Sequence, residues 1–183
     1  IFNEIDSAGN LIKTTTFEGD SCDYWTGGSG SFIATRNGGY CMAGSISTRG
    51  DESTIDHYII RFDSNMDTLW TKVIDNDTIE DIMREVCETS DNGFVFTGQR
   101  AISATHSDIF LFKTDSLGNK LWERTINMGY ISSSFNIKET PDRGLLISGY
   151  KGWYSQGSGD PFIIKTDSMG NVLWHRFMGN PLQ

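Results

Sequence analysis

The sequence predicts an all-β fold, namely a segment of a β-propeller with about three and a half four-stranded blades. Two observations support this prediction. One pattern of about twelve residues recurs along the chain, and its anchoring aspartates stand at positions 6, 63, 115 and 167. A second pattern, Thr-x-x-x-Gly followed by an apolar strand, recurs in phase at residues 35–40, 89–94 and 140–145. A fixed period near 52 residues is typical of solenoids, propellers and arrays.

Each copy of the first pattern predicts a β-hairpin. In one copy the apolar run Ile109–Phe112 is followed by a turn over residues 115–119 and then by Leu121 and Trp122. Aspartate at the first turn position and glycine at the fourth favour a type I turn that ends in a left-handed residue. Met66 takes the glycine position in another copy, so that turn is predicted to be either strained or rearranged. Leucine and tryptophan point to opposite faces of their strand, so both faces are expected to need apolar cover.

The second pattern predicts another hairpin, so that one period holds four strands. An aspartate seven residues before the anchoring one opens the third strand of each complete unit (Asp56, Asp108 and Asp160). Residues 1–183 are therefore predicted to form a single partial propeller, with a half blade at 1–17 and complete blades at 31–75, 85–126 and 135–178. A solenoid is the alternative, but its repeats are usually shorter. Because the first hairpin of the half blade is missing, we expect the chain to be a fragment of a longer protein.

Residues 77–86 have an ambiguous pattern. Their apolar residues have helical spacing, whereas the phase of the repeat requires a strand by about Glu85. We expect at most one helical turn before that strand.

Composition and charge exclude two classes of function. The formal net charge is −9 and the sequence pI is about 4.7, with no basic stripe, so binding to a nucleic-acid backbone is not expected. No apolar run approaches the roughly 20 residues that a membrane-spanning helix needs, so no transmembrane segment is predicted in this chain. Apolar residues make up 37% of the sequence, which is enough for a substantial core.

The Asp-x-x-Gly-x-x-x-Trp hairpins resemble the tryptophan-docking repeats of propellers of the pyrroloquinoline-quinone type and of related outer-membrane assembly lipoproteins. In that family the tryptophan of one blade packs against the next blade. The resemblance therefore implies this docking role for Trp70, Trp122 and Trp174, and excludes it for Lys13 at the same position of the first copy. The spacing from aspartate to tryptophan is one residue shorter here than in the quinoprotein motif.

The string Lys-Thr-Asp-Ser-x-Gly-Asn-x-Leu-Trp is more similar still to propeller regions of secreted or surface proteins of Bacteroidota. This resemblance covers essentially the whole chain. It implies a location outside the cell, on the cell surface or at the outer membrane of a Gram-negative bacterium, and a place in a larger membrane-associated complex.

The cysteines do not support a quinone enzyme. By resemblance, such an enzyme would need a cofactor pocket with calcium, a catalytic carboxylate and, commonly, a disulfide between neighbouring cysteines. Cys22, Cys41 and Cys87 include no adjacent pair, so no cofactor is predicted. Cys41 aligns with apolar residues of the other units, which predicts a small buried hydrophobic side chain. Cys22 and Cys87 either pair or remain free, and free buried thiols are favoured.

No catalytic or metal-binding residue is predicted. The three histidines are isolated, and no nucleophile elbow, metal-spaced histidine pair or phosphate-binding glycine loop accompanies them (His57, His106 and His175). One acidic cluster lacks the glycine and terminal glutamate of a calcium loop, which favours a solvated loop over a calcium site (Asp75, Asp77, Glu80 and Asp81). The tripeptide at residues 49–51 is Arg-Gly-Asp, which we interpret as coincidence.

Two aromatic segments are the candidates for a binding site. Tyr150, Trp153 and Tyr154 are predicted to lie between the second and third strands of the last unit, where the other units have polar loops. Tyr24 and Trp25 precede a glycine-rich stretch. Exposed aromatic side chains without a packing role indicate ligand or partner binding, for example stacking on sugar rings. The alternative is that they cover blade edges or pack on a neighbouring blade.

The recurring residues are explained by turns and packing, so function is expected to lie in the variable loops. The sequence therefore predicts a non-catalytic interaction scaffold at the bacterial cell surface or outer membrane, which binds a protein partner or a glycan. The alternative is part of a propeller enzyme that acts on carbohydrate through acidic loop residues near the channel of the ring.

Overall fold

The computed structural model describes residues 2–15, 23–26, 31–47, 55–74, 81–103, 105–129, 131–152 and 159–178. These residues form strands and no helix, and so contain no helix able to cross a membrane. In chain order the strands are β1 (Phe2–Ile5), β2 (Leu11–Thr15), β3 (Asp23–Thr26), β4 (Phe32–Ala34), β5 (Tyr40–Ser47), β6 (Ile55–Phe62), β7 (Thr68–Ile74), β8 (Asp81–Glu88), β9 (Phe94–Ser103), β10 (His106–Thr114), β11 (Lys120–Ile126), β12 (Ser132–Glu139), β13 (Leu145–Lys151), β14 (Asp160–Thr166) and β15 (Val172–Phe177).

The strands form an N-terminal hairpin, β1–β2, and three antiparallel sheets that resemble propeller blades. The second sheet has the order β8-β9-β10-β11, and the third has the order β12-β13-β14-β15. In the first sheet, β3 and β4 pair with different parts of β5 and share one strand position beside β5-β6-β7. The predicted all-β fold with repeated four-stranded units is confirmed. The segment with the ambiguous pattern is a strand from Asp81 onward, and residues 77–80 lie outside the described residues.

The core lies between the sheets because the middle strands carry apolar side chains on both faces. One buried cluster joins the first and second sheets and includes Phe94, Phe96, Phe110 and Cys41. A second cluster joins the second and third sheets through one face of each (among others Val95, Leu111, Trp122, Leu145 and Phe162). Cys41 is fully buried, as predicted, and Cys87 is a buried free thiol, whereas Cys22 lies outside the described residues.

The expectation that both faces of the tryptophan-bearing strand need apolar cover is wrong. This strand is the fourth of each sheet (β7, β11 and β15), and we call it the outermost strand. The leucine that precedes each tryptophan is exposed by 56% at Leu69, 55% at Leu121 and 59% at Leu173. Contacts between sheets are concentrated at the first strand of each sheet, such as β8 and β12, which we call the innermost strand. The outermost strand therefore receives less cover from its neighbours, and its leucine face stays in contact with water.

We call the turns between the third and fourth strands the outer turns, and they follow the predicted chemistry. In the turn of the second sheet, the Asp115 Oδ1 atom accepts hydrogen bonds from the amides of Leu117 and Asn119 at 2.9 and 2.8 Å. The side-chain and backbone hydrogen bonds from Asn119 lower the pKa of Asp115. In the first sheet, Met66 has the left-handed conformation with φ of 66°. The backbone amide of Asp63 donates to the carbonyl of Asp67 at 2.9 Å, as the amide of Asp115 does to the carbonyl of Asn119. Of the two predicted outcomes, this turn is strained and not rearranged.

A buried lysine links the two repeated patterns, and the sequence analysis missed it. The Nζ atom of Lys113 donates to the side chains of Thr89 and Asp91 at 2.8 and 2.9 Å, and to the carbonyl of Thr114 at 3.0 Å. Burial raises the pKa of Asp91, but hydrogen bonds from Thr89 and Lys113 outweigh burial and hold it at about 2. Equivalent networks surround Lys165 in the third sheet and Arg61 in the first. The sequence signal for these networks was a basic residue that recurs inside the apolar third strand, in phase with Thr-x-Asp or Thr-x-Asn.

Candidate interaction surfaces

The indole of Trp70 lies against the second sheet. Its ring meets that of Phe94 edge to face, with 6.5 Å between the ring centroids. It also covers Gly118 in the outer turn of that sheet, where an added Cβ would lie 2.9 Å from indole atoms Cη2 and Cζ3. The tryptophan of the first sheet thus contacts the turn glycine of the second.

Trp122 repeats this contact with the third sheet. An added Cβ at Gly170 would lie 2.9 Å from the Cζ3 atom of Trp122. The indole is only 9% exposed and belongs to the cluster that joins the second and third sheets. The turn glycine therefore has two roles, since it adopts positive φ (79° at Gly170) and leaves room for the indole of the preceding sheet.

The N-terminal hairpin makes a different contact with the first sheet. Lys13 stands at the tryptophan position, and Met66 stands at the glycine position that it would cover. The Nζ atom of Lys13 donates instead to the carbonyl oxygen of Asn65 at 2.7 Å. Both members of the contact are thus replaced together.

Two equivalent positions at the opposite ends of the described chain lack this contact. Trp174 in the third sheet is 44% exposed. Gly9 in the outer turn of the N-terminal hairpin has φ of 86°, and no atom of the described residues lies within 4 Å of the position of an added Cβ. Among the described residues, Trp174 therefore covers no turn glycine, and no indole covers Gly9.

Gly118→Ala is expected to destabilise the protein more than Gly9→Ala. Both substitutions force alanine into a left-handed conformation, which costs about 1 kcal/mol. Only Gly118→Ala also displaces an indole, so its total cost is expected to be about 2–4 kcal/mol. Equilibrium urea unfolding followed by circular dichroism measures both changes. Equal losses of stability would contradict the close packing of Trp70 on this glycine.

Tyr150 is the one predicted binding residue whose side chain is described, and it lies in strand β13, not in the loop that follows. Its ring stacks on Phe135, with 5.3 Å between the centroids and 28° between the planes. The guanidinium of Arg84 lies 5.2 Å from the centroid of the same Phe135 ring. Phe135 remains 43% exposed. We call Arg84, Phe135 and Tyr150 the aromatic ladder.

A bulge in β12 places Phe135 in the aromatic ladder. The pairing of β12 with β13 shifts between Ser134 and Asn136, which leaves Phe135 as the extra residue. The pairing of β8 with β9 shifts in the same way around Arg84. A bulge residue has no partner in the neighbouring strand, and its side chain is turned away from the regular alternation. The side chains of Phe135 and Arg84, which come from neighbouring sheets, can therefore meet. The sequence carried no recognisable signal of these bulges.

The other predicted binding residues are described only in part. Trp153 and Tyr154 lie outside the described residues. Tyr24 and Trp25 lie in β3, opposite Ile46 and Ser45 of β5, and their side chains are not described. Since β3 pairs with the last residues of β5, it lies at the end of its sheet away from the hairpin turns. Tyr150 lies at the corresponding end of the third sheet, so Tyr150 and strand β3 lie on the same side of the molecule.

A crevice of about 380 Å³ opens beside Trp122, between the second and third sheets. Its walls include the apolar side chains of Val95 and Leu145. The charged groups at its rim include Lys113 and Asp91, which already form an ion pair at 2.9 Å. These two charged groups are therefore already paired within the protein.

Among the described residues, Glu85 is a buried carboxyl group with a strongly raised pKa. It is 3% exposed on the innermost strand β8, and burial raises its pKa to about 7, while the charge of Lys138 opposes this shift. Glycoside hydrolysis generally requires a pair of carboxyl groups that flank the bond to be cleaved, and a single buried carboxyl group does not amount to such a site.

Histidine, cysteine and acidic side chains do not form a group of three or more that is able to hold a metal ion, as far as the described ranges extend. In the acidic cluster, residues 75–80 lie outside these ranges, and only the backbone of Asp81 is described.

Comparison of the chain with models of known protein families and with curated proteins finds no match.

Proposed function

We propose that this chain is a non-catalytic interaction scaffold that binds a protein partner or a glycan at the surface or outer membrane of a Gram-negative bacterium. The observation that supports this proposal most is the aromatic ladder. A stacked pair of aromatic rings with a guanidinium beside it offers apolar area, a π face and a positive charge in one place. Such groups contact sugar rings or the aromatic and acidic side chains of a protein.

The position of the ladder supports the same function. Tyr150 is the last aromatic residue before the stretch that contains Trp153 and Tyr154, and Tyr24 and Trp25 lie on the same side of the molecule. The sheets that carry these residues are held together by packed cores. A rigid scaffold that presents aromatic groups on one side is suited to binding a partner without large rearrangement.

A glycan array and a pull-down from outer-membrane extracts test the proposal. The probes are the wild-type chain and the variants Phe135→Ala, Trp153→Ala and Trp25→Ala. Leu173→Ala is the control, because Leu173 is also exposed (59%) and lies in the same sheet, but beside the outer turn at the opposite end from Tyr150. We expect binding to weaken about tenfold or more in the three variants and to persist in the control.

The outcomes separate the two partners. Retention of defined oligosaccharides identifies a glycan, and specific capture of a protein without sugar binding identifies a protein partner. If neither assay shows binding that depends on Phe135, Trp153 or Trp25, the proposal is wrong. Hydrolysis of an oligosaccharide that Glu85→Gln abolishes would instead show that the chain is part of an enzyme.

A further inference from the structure

We propose that the aromatic ladder selects acidic glycans, and that Arg84 determines this specificity by pairing with a carboxylate of the sugar. The inference rests on the proposed function, since it names the class of ligand that the scaffold binds through the ladder. Neutral glycans and acidic peptides are the alternatives, and each of them predicts a different binding result.

Arg84 and Phe135 occupy the same position in two repeats. Each stands five residues before the threonine of the Thr-x-x-x-Gly pattern, and each lies where the pairing of the innermost strand with the second strand shifts. The residue at this position in the first unit is Gly30, which lies outside the described residues. The bulge therefore recurs in the second and third sheets, whereas the side chain at this position differs in every unit.

The backbone beside each bulge is adapted to it. The second strand carries a glycine there, Gly98 in the second sheet and Gly149 in the third. An added Cβ at Gly98 would overlap the carbonyl oxygen of Ile82, and one at Gly149 would overlap that of Ser133. Bulges redirect side chains and are over-represented beside functional sites. A recurring framework that displays a variable side chain is suited to determining which ligand is bound.

Arg84 has no hydrogen-bond acceptor among the described residues. Its Nε atom is buried without a partner, although the residue as a whole is partly exposed. Its guanidinium lies 5.2 Å from the centroid of the Phe135 ring. A buried donor without an acceptor is costly, because it has lost its hydrogen bonds to water. A ligand that supplies an acceptor removes this cost, and a carboxylate is the acceptor that matches a guanidinium best.

Two other arginines over aromatic rings are satisfied within the protein. The guanidinium groups of Arg61 and Arg100 lie 5.9 and 4.7 Å from the centroids of phenylalanine rings. Arg61 also donates to the carbonyl of Tyr40 at 2.8 Å, and Arg100 forms an ion pair with Glu123 at 2.6 Å. Arg84 lies in the second sheet, and the described residues include the sheets that pack on both of its faces. Among these residues, Arg84 has the aromatic contact without the acceptor.

The neighbouring carboxyl group does not neutralise Arg84. Glu85 is 3% exposed, and its Oε2 atom has no hydrogen-bond partner among the described residues. Burial raises the pKa of Glu85 to about 7, while the charge of Lys138 opposes this shift. Below pH 7 Glu85 is therefore mostly uncharged. A carboxylate of a ligand is then not repelled by Glu85 when it approaches Arg84, although the formal net charge of the chain is −9.

The aromatic rings favour a sugar over an acidic peptide. Phe135 and Tyr150 are stacked at 5.3 Å beside the guanidinium, and Phe135 is 43% exposed. In a uronic or sialic acid, the carboxylate is attached directly to a rigid ring whose C–H groups can pack on aromatic side chains. Such a ligand engages the rings and Arg84 together with little loss of conformational freedom. An aspartate or glutamate side chain supplies the charge without a rigid apolar surface.

A glycan array of matched pairs tests this inference. Each oligosaccharide that contains uronic or sialic acid is printed beside the methyl ester of the same carboxylates, and a polyglutamate peptide is included. The wild-type chain is expected to bind at least one acid about tenfold or more tightly than its ester. Arg84→Gln is expected to bind the acid and the ester equally. Arg84→Lys is expected to keep part of the preference, because the charge remains but the planar fork is lost.

Arg143→Gln is the matched control for charge. Arg143 is exposed in the turn at residues 140–144 of the third sheet, at the opposite end from Tyr150, and its replacement removes one positive charge as well. Its preference for acids is expected to equal that of the wild type. Circular dichroism checks that each variant is folded.

Three results would overturn the inference, namely equal binding of acids and esters by the wild type, a preference that survives in Arg84→Gln, or no binding to any acidic glycan. Binding to polyglutamate without binding to glycans would identify an acidic protein partner instead. Phe135→Ala separates this inference from the proposed function. If Phe135 is required for binding but acids are not preferred, only the choice of acidic glycans is wrong, whereas binding that is independent of the ladder contradicts both.

Discussion

Trp122→Ala is expected to lower the free energy of unfolding by about 3–5 kcal/mol. The indole is 9% exposed, belongs to the cluster between the second and third sheets, and covers Gly170. Truncation removes apolar area from the interface and leaves a cavity beside a turn that cannot collapse into it. Urea unfolding followed by far-ultraviolet circular dichroism measures the loss without relying on tryptophan fluorescence.

Leu121→Ala is the matched control for this experiment. Leu121 is the neighbouring residue of the same strand, points to the opposite face and is 55% exposed. Its truncation is expected to cost about 1 kcal/mol or less. If the two substitutions destabilise the protein equally, the indole does not join the two sheets and the packing described for them is wrong.

Glu85→Gln and His57→Gln are expected to give the protein opposite dependences of stability on pH between pH 4.5 and 6.5. Burial lowers the pKa of His57 from 6.5 to about 3, with the charge of Arg100 acting in the same direction. In this range the unfolded chain binds a proton at His57 and the folded chain does not, so His57 makes stability fall as pH falls below 6.5.

Glu85 acts in the opposite sense. Burial raises its pKa from 4.5 to about 7, so between these values the folded chain holds a proton that the unfolded chain has released. Its contribution to stability is therefore complete below pH 4.5 and is lost as pH rises through about 7. Each group contributes a slope of at most about 1.4 kcal/mol per pH unit, and in the wild type the two slopes oppose each other.

Urea unfolding at several pH values tests this pair. Glu85→Gln leaves the slope of His57, so the variant is expected to lose stability as pH is lowered from 6.5 to 4.5. His57→Gln leaves the slope of Glu85, so this variant is expected to lose stability as pH is raised over the same range. The wild type serves as the control with a flatter profile. Slopes of the same sign in the two variants would show that one of these groups does not have the perturbed pKa described here.

Turn chemistry was the part of the fold that residues close in sequence could predict. The turn at residues 115–119 is closed by Asp115 and Asn119, which lie four positions apart. The buried Lys113, in contrast, finds its partners in a turn of a different hairpin, at Thr89 and Asp91. A lysine in an apolar strand does not reveal such a partner by itself. The in-phase recurrence of the two patterns was the available clue.

The candidate binding residues show a similar division. The aromatic character of Tyr150 and its place near the end of a strand were readable from the sequence. Its stack on Phe135 depends on a bulge in the neighbouring strand β12, and the position of Arg84 depends on a second bulge in another sheet. Bulges arise from the pairing of two strands, so the residues of one strand do not specify them.

By itself, the sequence determined the all-β class, the repeated hairpins and the period, because these follow from turn residues and apolar patterns within a few positions of each other. Only the tertiary structure decided which side chains are covered. Trp70, Trp122 and Trp174 occupy the same position in three copies of one pattern, yet the first two lie on the turn glycines of a following sheet and the third is exposed. The physical reason is that the cover of an indole comes from the neighbouring sheet, not from the strand that carries it.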